Sequence, residues 1–237
     1  MHTKSFRIDR YISQQLGINR RDIKLMLAQG RVVINGEIIV EVTTMVAEFD
    51  RVECDGKVLQ NKTPLYIMLN KPTGVVSATK DDQHTTVVDL LEGYSRAELE
   101  SLHIVGRLDL NTSGLLLLTN DSAWSRKLMS PQAKVHKVYQ VELANDLNED
   151  YSLAFAKGMY FSYEDITTQP AELKILSNNV AEVVLTEGKY HQIKRMFGRF
   201  RNPVLALHRS AVGHLCLDPL LKPGQSRRLT PKEVNAI

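Results

Sequence analysis

Four consecutive leucines, Leu115 to Leu118, constrain what this chain can fold into more than any other feature. The run is too short for a buried helix, and turn residues bound it: Asn111-Thr112-Ser113-Gly114 before, Thr119-Asn120 after. An apolar run of this length fits a strand buried on both faces. Upstream, His103-Ile104-Val105 reads as the end of another strand. The residues between are loop chemistry. They hold one acid, Asp109, and one base, Arg107, in a loop framed by core strands. A carboxylate there has three readings. It can stabilise its own loop or pair with Arg107. It can ligate a metal, although no His/Cys/Asp cluster lies near. Or it can be a lone catalytic nucleophile or base.

The rest of the chain is read around that core. Ile8, Tyr11, Ile12 and Leu16 share one helical face, and Gly17 is a plausible C-cap. Asn19 caps a second helix over Arg20–Gln29, with Ile23, Met26 and Leu27 inward and Arg20, Arg21 and Lys24 outward. Asn35-Gly36 and Asp55-Gly56 mark two tight turns between short strands. Residues 61–64 are polar, end in Pro64, and read as a linker between a small domain (1–60) and a larger one (65–237). In the larger part, Leu65–Leu69 is an apolar strand, Lys80–Thr86 a polar loop, and Val87–Leu91 the start of a short helix. Lys137–Leu143 alternates as a half-buried strand, and Ala171–Leu176 and Val180–Thr186 flank Asn178-Asn179 as a hairpin. Val204–Leu207 is another strand, followed by His208-Arg209. Thr230-Pro231-Lys232-Glu233 is a capping box. Many strands, few helices and hairpins instead of repeated βαβ units predict an α+β chain.

Composition narrows the function classes. The net charge is only +3, but it is clustered. Met1–Arg31 carries seven Lys/Arg against Asp9 and Asp22, and Glu187–Arg209 carries six against Glu187. Two basic islands on a near-neutral chain suggest a polyanion held at two places. Cys54 and Cys216 form neither a metal-type spacing nor a disulfide framework. No apolar run approaches a membrane span, and the first residues are polar where a signal peptide needs an apolar core. A cytoplasmic location and a reducing compartment are expected.

A resemblance then selects among the readings of Asp109. Gly106-Arg107-Leu108-Asp109, followed by Thr112-Ser113-Gly114-Leu115-Leu116, resembles the active-site signature of the ribosomal RNA pseudouridine synthases. Three further segments agree. Lys71-Pro72-Thr73-Gly74 resembles the turn that ends the family's first catalytic-domain strand. Lys137-Val138-Tyr139 resembles its Lys-x-Tyr motif. Gly188 to Phe197 resembles its basic motif. Arg7-Ile8-Asp9, Asn19-Arg20 and Gly30 to Gly36 resemble a small ribosomal-protein-like RNA-binding domain.

The resemblance implies a mixed α/β catalytic domain on a largely antiparallel central sheet, and isomerisation of a uridine to pseudouridine with no cofactor and no metal. Asp109 falls on the catalytic aspartate, as nucleophile or base, and Tyr139 on the tyrosine that stacks on the target base. Lys194 aligns with the cation that pairs with the aspartate, with Arg195 the alternative, and Arg107 supports the site. Arg7, Arg20, Arg21, Lys24, Arg31 and Lys71 are the expected RNA contacts. Arg20, Arg21 and Lys24 have ordinary surface charge as their bland reading, and Tyr139 has core packing. Tyr190-His191 in the basic motif is most like the enzymes acting on 16S RNA, whereas siblings acting on 23S RNA tend to carry Asn-Arg there. The expected partner is therefore 16S RNA or a small-subunit assembly intermediate, met by a monomer. The competing class is a non-catalytic assembly factor that has kept the fold.

Overall fold

The computed structural model describes residues 5–236. The chain divides between Pro64 and Leu65 into two compact units, each with its own core. Lys4, counted in the first basic island, lies outside the described residues.

In the first unit, β1 (Phe6–Arg7) leads into α1 (Ile8–Leu16) and α2 (Arg20–Ala28). Gly17 ends α1 in the left-handed conformation, its N–H donating to the Ser13 carbonyl at 3.0 Å. The Asn19 side chain caps α2 by accepting from the Asp22 N–H at 3.0 Å. The strands β2 (Val32–Ile34), β3 (Glu37–Ile38), β4 (Met45–Val46), β5 (Val52–Cys54) and β6 (Lys57–Gln60) follow. β3, β2, β5 and β6 form a four-stranded antiparallel sheet, and β4 pairs with β1. Asn35 and Gly36 take φ of 51° and 88°, the values that a two-residue turn between β2 and β3 demands. The apolar face of each helix packs on the sheet through Ile8, Ile12, Ile23 and Leu27, against Val32 and Val52.

The second unit contains β7 (Tyr66–Lys71), α3 (Arg96–Ser101), β8 (His103–Val105), β9 (Ser113–Thr119), α4 (Ser122–Met129), β10 (Lys137–Leu143) and α5 (Glu149–Lys157). It continues with β11 (Tyr160–Phe161), β12 (Ile166–Thr167), β13 (Glu172–Ser177), β14 (Val180–Leu185) and α6 (Gln192–Gly198). It ends with β15 (Val204–Val212), β16 (Leu215–Cys216), β17 (Ser226–Arg228) and α7 (Pro231–Asn235). Nine of its strands form one sheet, whose central path runs β13-β14-β10-β15-β9-β7-β17. Its pairings are antiparallel except β15 with β9. The expected α+β class with a largely antiparallel sheet is the fold observed.

The four leucines lie in β9 and are at most 1% exposed. Leu116 and Leu118 face one apolar cluster with Phe155 and Phe197, and Leu115 and Leu117 face another with Met68 and Trp124. The strand is therefore buried on both faces, and successive side chains serve opposite cores.

Two elements differ from expectation. Val87–Leu91 is a turn, not a helix: Val87 donates to Val76, Leu91 to Val88, and Asp89 accepts from the Thr86 N–H and hydroxyl. The side chains of Thr86 and Asp89 offer the backbone a local alternative to a helical turn. The last long strand does not stop at Leu207. It continues through Arg209 to Val212, because β10 on one side and β9 on the other supply pairing.

Candidate active site

Asp109 sits in the loop between β8 and β9, its side chain about one-third exposed. Two contacts hold that loop from beneath. The Ser77 hydroxyl donates to the Leu108 carbonyl at 2.7 Å and accepts from the Leu108 N–H at 3.1 Å. The Lys71 ammonium donates to the carbonyls of Asp109 (3.1 Å), Thr112 (2.9 Å), Leu110 (3.4 Å) and Pro72 (2.9 Å). An ammonium with three donors meeting a nest of carbonyls ties the loop to the end of β7. Burial pushes the Lys71 pKa down to about 8, against the pull of the nearby Asp109 carboxylate. Lys71 has no exposed surface, which corrects its assignment as an RNA contact: it builds the loop and cannot reach a strand outside.

The loop forms one wall of a cavity of about 580 Å³. Arg107, Asp109, Tyr139 from β10, Lys189, Tyr190 and His191 just before α6, and Lys194 in its first turn all line it. Asp109 is the sole carboxylate among the described lining residues. Tyr139 belongs to the core cluster and also lines the cavity. Behind it, the Arg209 guanidinium lies 6.0 Å from the ring centre. Arg209 is almost fully buried in β15 and donates from Nε to the Leu115 carbonyl at 2.8 Å. Its Nη2, with the Thr112 hydroxyl, is a buried polar group lacking a partner among the described residues.

The side chain in contact with Asp109 is one that the sequence reading left unassigned. His191 Nε2 lies 3.5 Å from Asp109 Oδ2. His191 is the residue before α6 and adopts a left-handed backbone, φ 48° and ψ 31°. Tyr190 stacks on its ring at 3.9 Å. Lys194 shares the cavity with Asp109. Arg195 does not reach it: its guanidinium forms a two-pronged pair with Glu164 (Nη1 to Oε1 2.6 Å) and lies 3.9 Å over the Phe161 ring. The alternative of Arg195 as partner to Asp109 is thereby corrected. Between adjacent residues on a helix, about 100° of rotation sends the two side chains to different neighbours.

In the small unit, Arg20, Arg21 and Lys24 are exposed on α2. Arg7 is paired with Asp9 at 3.1 Å, and Arg31 is held by both oxygens of Asp55 at 2.6 Å. Ser77 carried no sequence signal, being a lone Ser in a bend, and Arg209 showed only as one charge of the second basic island. For His191 the hint was its place inside the basic motif.

The profile of the RNA pseudouridylate synthase family matches residues 65–198. A ribosomal small subunit pseudouridine synthase A from Pseudomonas aeruginosa is 45% identical over 98% of this chain and 100% of its own length. The Escherichia coli K12 protein of the same name is 38% identical over 98% of this chain and 99% of its own. A solved structure described as a pseudouridylate synthase superposes with a TM-score of 0.70 at 35% identity, covering 98% of this chain and 99% of that one.

Proposed function

The chain belongs to the RNA pseudouridylate synthase family, and from that premise we propose that it converts one uridine of 16S RNA to pseudouridine, with Asp109 as the catalytic carboxylate. The observation that carries this is the cavity itself: Asp109, the one carboxylate among its described lining residues, shares it with Tyr139 and Lys194 and is in contact with His191.

The reaction is an isomerisation. The bond from the sugar C1′ to N1 of uracil breaks, the ring turns, and C1′ is rejoined to carbon-5. The carbon-5 proton is lost and N1 gains one, so nothing else is consumed. Asp109 attacks the glycoside as nucleophile or takes a proton as base. His191, 3.5 Å from its carboxylate, holds it in place, and Lys194 supplies positive charge to the same cavity. The target base must leave its stack, at a cost of a few kcal/mol. Stacking on Tyr139 offsets part of this, by ~1–3 kcal/mol. Arg107 at the cavity wall and Arg20, Arg21 and Lys24 on α2 contact phosphates, with the small unit adding affinity. The names of the relatives support the small-subunit substrate. The intact Asp109, Tyr139 and Lys194 set argues against a non-catalytic assembly factor.

The test is pseudouridine mapping. The purified protein is incubated with unmodified 16S and 23S RNA, free and protein-bound, and pseudouridine is located by carbodiimide adducts and primer extension. One site in 16S RNA, absent with Asp109→Asn, is expected. A site in 23S RNA overturns the substrate, and no product on any RNA overturns the reaction.

A further inference from the structure

Tyr190 is the most exposed aromatic residue lining the cavity, at 74% exposure. One face of its ring lies on His191, with centres 3.9 Å apart and planes within 20°. The other face is bare. An aromatic face open to water at the mouth of a basic cavity is a surface on which a base can stack. Hydrogen bonds fix the backbone beneath the pair. His191 accepts the Arg195 N–H at its carbonyl at 3.0 Å, and the Lys189 N–H donates to Gln192 Oε1 at 3.0 Å. Gln192 is itself buried and donates to Glu187 Oε1 at 2.7 Å. The left-handed backbone at His191 aims its ring between Asp109 and Tyr190. A ring carried on a fixed backbone and stacked on a neighbour has less freedom to lose when a partner stacks on it.

We propose that the Tyr190–His191 stack is a platform for a second nucleobase, one flanking the target uridine in the substrate RNA; this rests on the proposed function. Tyr139, at 8% exposure, lies deep among the core residues and lines the cavity, where the proposed function places the target base. Tyr190 offers a separate surface outside. Arg107, Lys189 and Lys194 line the same cavity and supply positive charge for the phosphates on either side of such a base. An open aromatic face with cations beside it is the combination that single-stranded RNA uses, bases on rings and phosphates on cations. An apolar peptide would leave the cations without partners, and an acidic one would leave the ring uncovered.

The test uses the full chain and a short RNA spanning the mapped uridine, with copies in which the base on either side is replaced by an abasic residue. Binding is read by equilibrium titration for the wild type, Y190A, Y190F and Y190W. We expect Y190A to raise Kd about tenfold, the loss of one stacked base. Y190F and Y190W should retain tight binding. One abasic RNA should weaken the wild type by a similar factor and add little to Y190A, because both remove the same contact. Equal sensitivity of Y190A and the wild type to both abasic RNAs overturns the platform, as does an unchanged Kd. A fall in turnover at unchanged Kd also overturns it, and moves Tyr190 to a role through His191. If the wild type makes no pseudouridine on any RNA, the proposed reaction fails. The titrations are then run on an oligouridylate and its abasic copies and read by the same criteria.

Discussion

The Lys71 ammonium donates to the backbone carbonyl of Asp109 at 3.1 Å from a position with no solvent exposure. The carboxylate that faces the cavity is thus anchored through its own main chain by a cation beneath the loop, and its side chain stays available to the other side. Lys71→Met should therefore lower stability by about 2 kcal/mol, since it strips donors from buried carbonyls. Urea unfolding at pH 7 measures this, and an unchanged midpoint would remove Lys71 from the anchor.

The same residue makes a pH prediction. Its folded pKa is lowered to about 8, below the ordinary lysine value of 10.5. Below about 8 both states hold the proton, and the cost of burying the charge is fully present. Between about 8 and 10.5 the unfolded chain binds more protons than the folded one, so Lys71 adds stability as pH rises. The stability gap between wild type and Lys71→Met should widen over that window. Unfolding curves at pH 7, 8, 9 and 10 decide it, and a narrowing gap contradicts the assignment.

Gly114 should be intolerant of any side chain. A Cβ there would lie 2.3 Å from the Arg209 carbonyl oxygen, and its φ is +105°. Gly114→Ala should cost more than about 3 kcal/mol, combining backbone strain with separation of β9 from β15. Gly74 also has positive φ (+80°) but open space around it, so Gly74→Ala should cost only about 1 kcal/mol. Thermal unfolding of the two variants compares them directly, and similar losses would show that the strand contact is not tight.

Lys194 and Arg195 should separate in kinetics. Lys194→Met removes a cation from the cavity and should lower kcat about a hundredfold. Arg195→Ala breaks the pair with Glu164 and the contact with Phe161, and should cost stability more than turnover. Single-turnover assays on the mapped RNA read both; the reverse order would return Arg195 to the site.

On the small unit, Arg20→Ala with Arg21→Ala should weaken RNA binding and flatten the slope of log K against log salt by about 1.4–1.8. Titrations across a salt series check this, and an unchanged slope makes the two arginines plain surface charge.

Much of the fold was legible because its signals are local. The leucine run specifies a doubly buried strand, Asn35-Gly36 specifies a turn with two positive φ angles, and Asn19 and Thr230 each satisfy helix N–H groups within three residues. Those cues need only neighbours in sequence. At Val87–Leu91 a local cue misled, because Asp89 and Thr86 satisfy the backbone as a turn.

The sequence by itself determined the α+β class, the family, and the candidates Asp109, Tyr139 and Lys194. Only the tertiary structure decided that Lys71 lies beneath the loop and not on the surface, that Arg195 pairs with Glu164, and that His191 meets Asp109. It alone buried Arg209 behind Tyr139. The physical reason is that a charged side chain carries no local mark of its partner. Burial and pairing depend on which distant segments pack around it, and here those segments lie 31 residues away for Arg195 and 38 for Lys71.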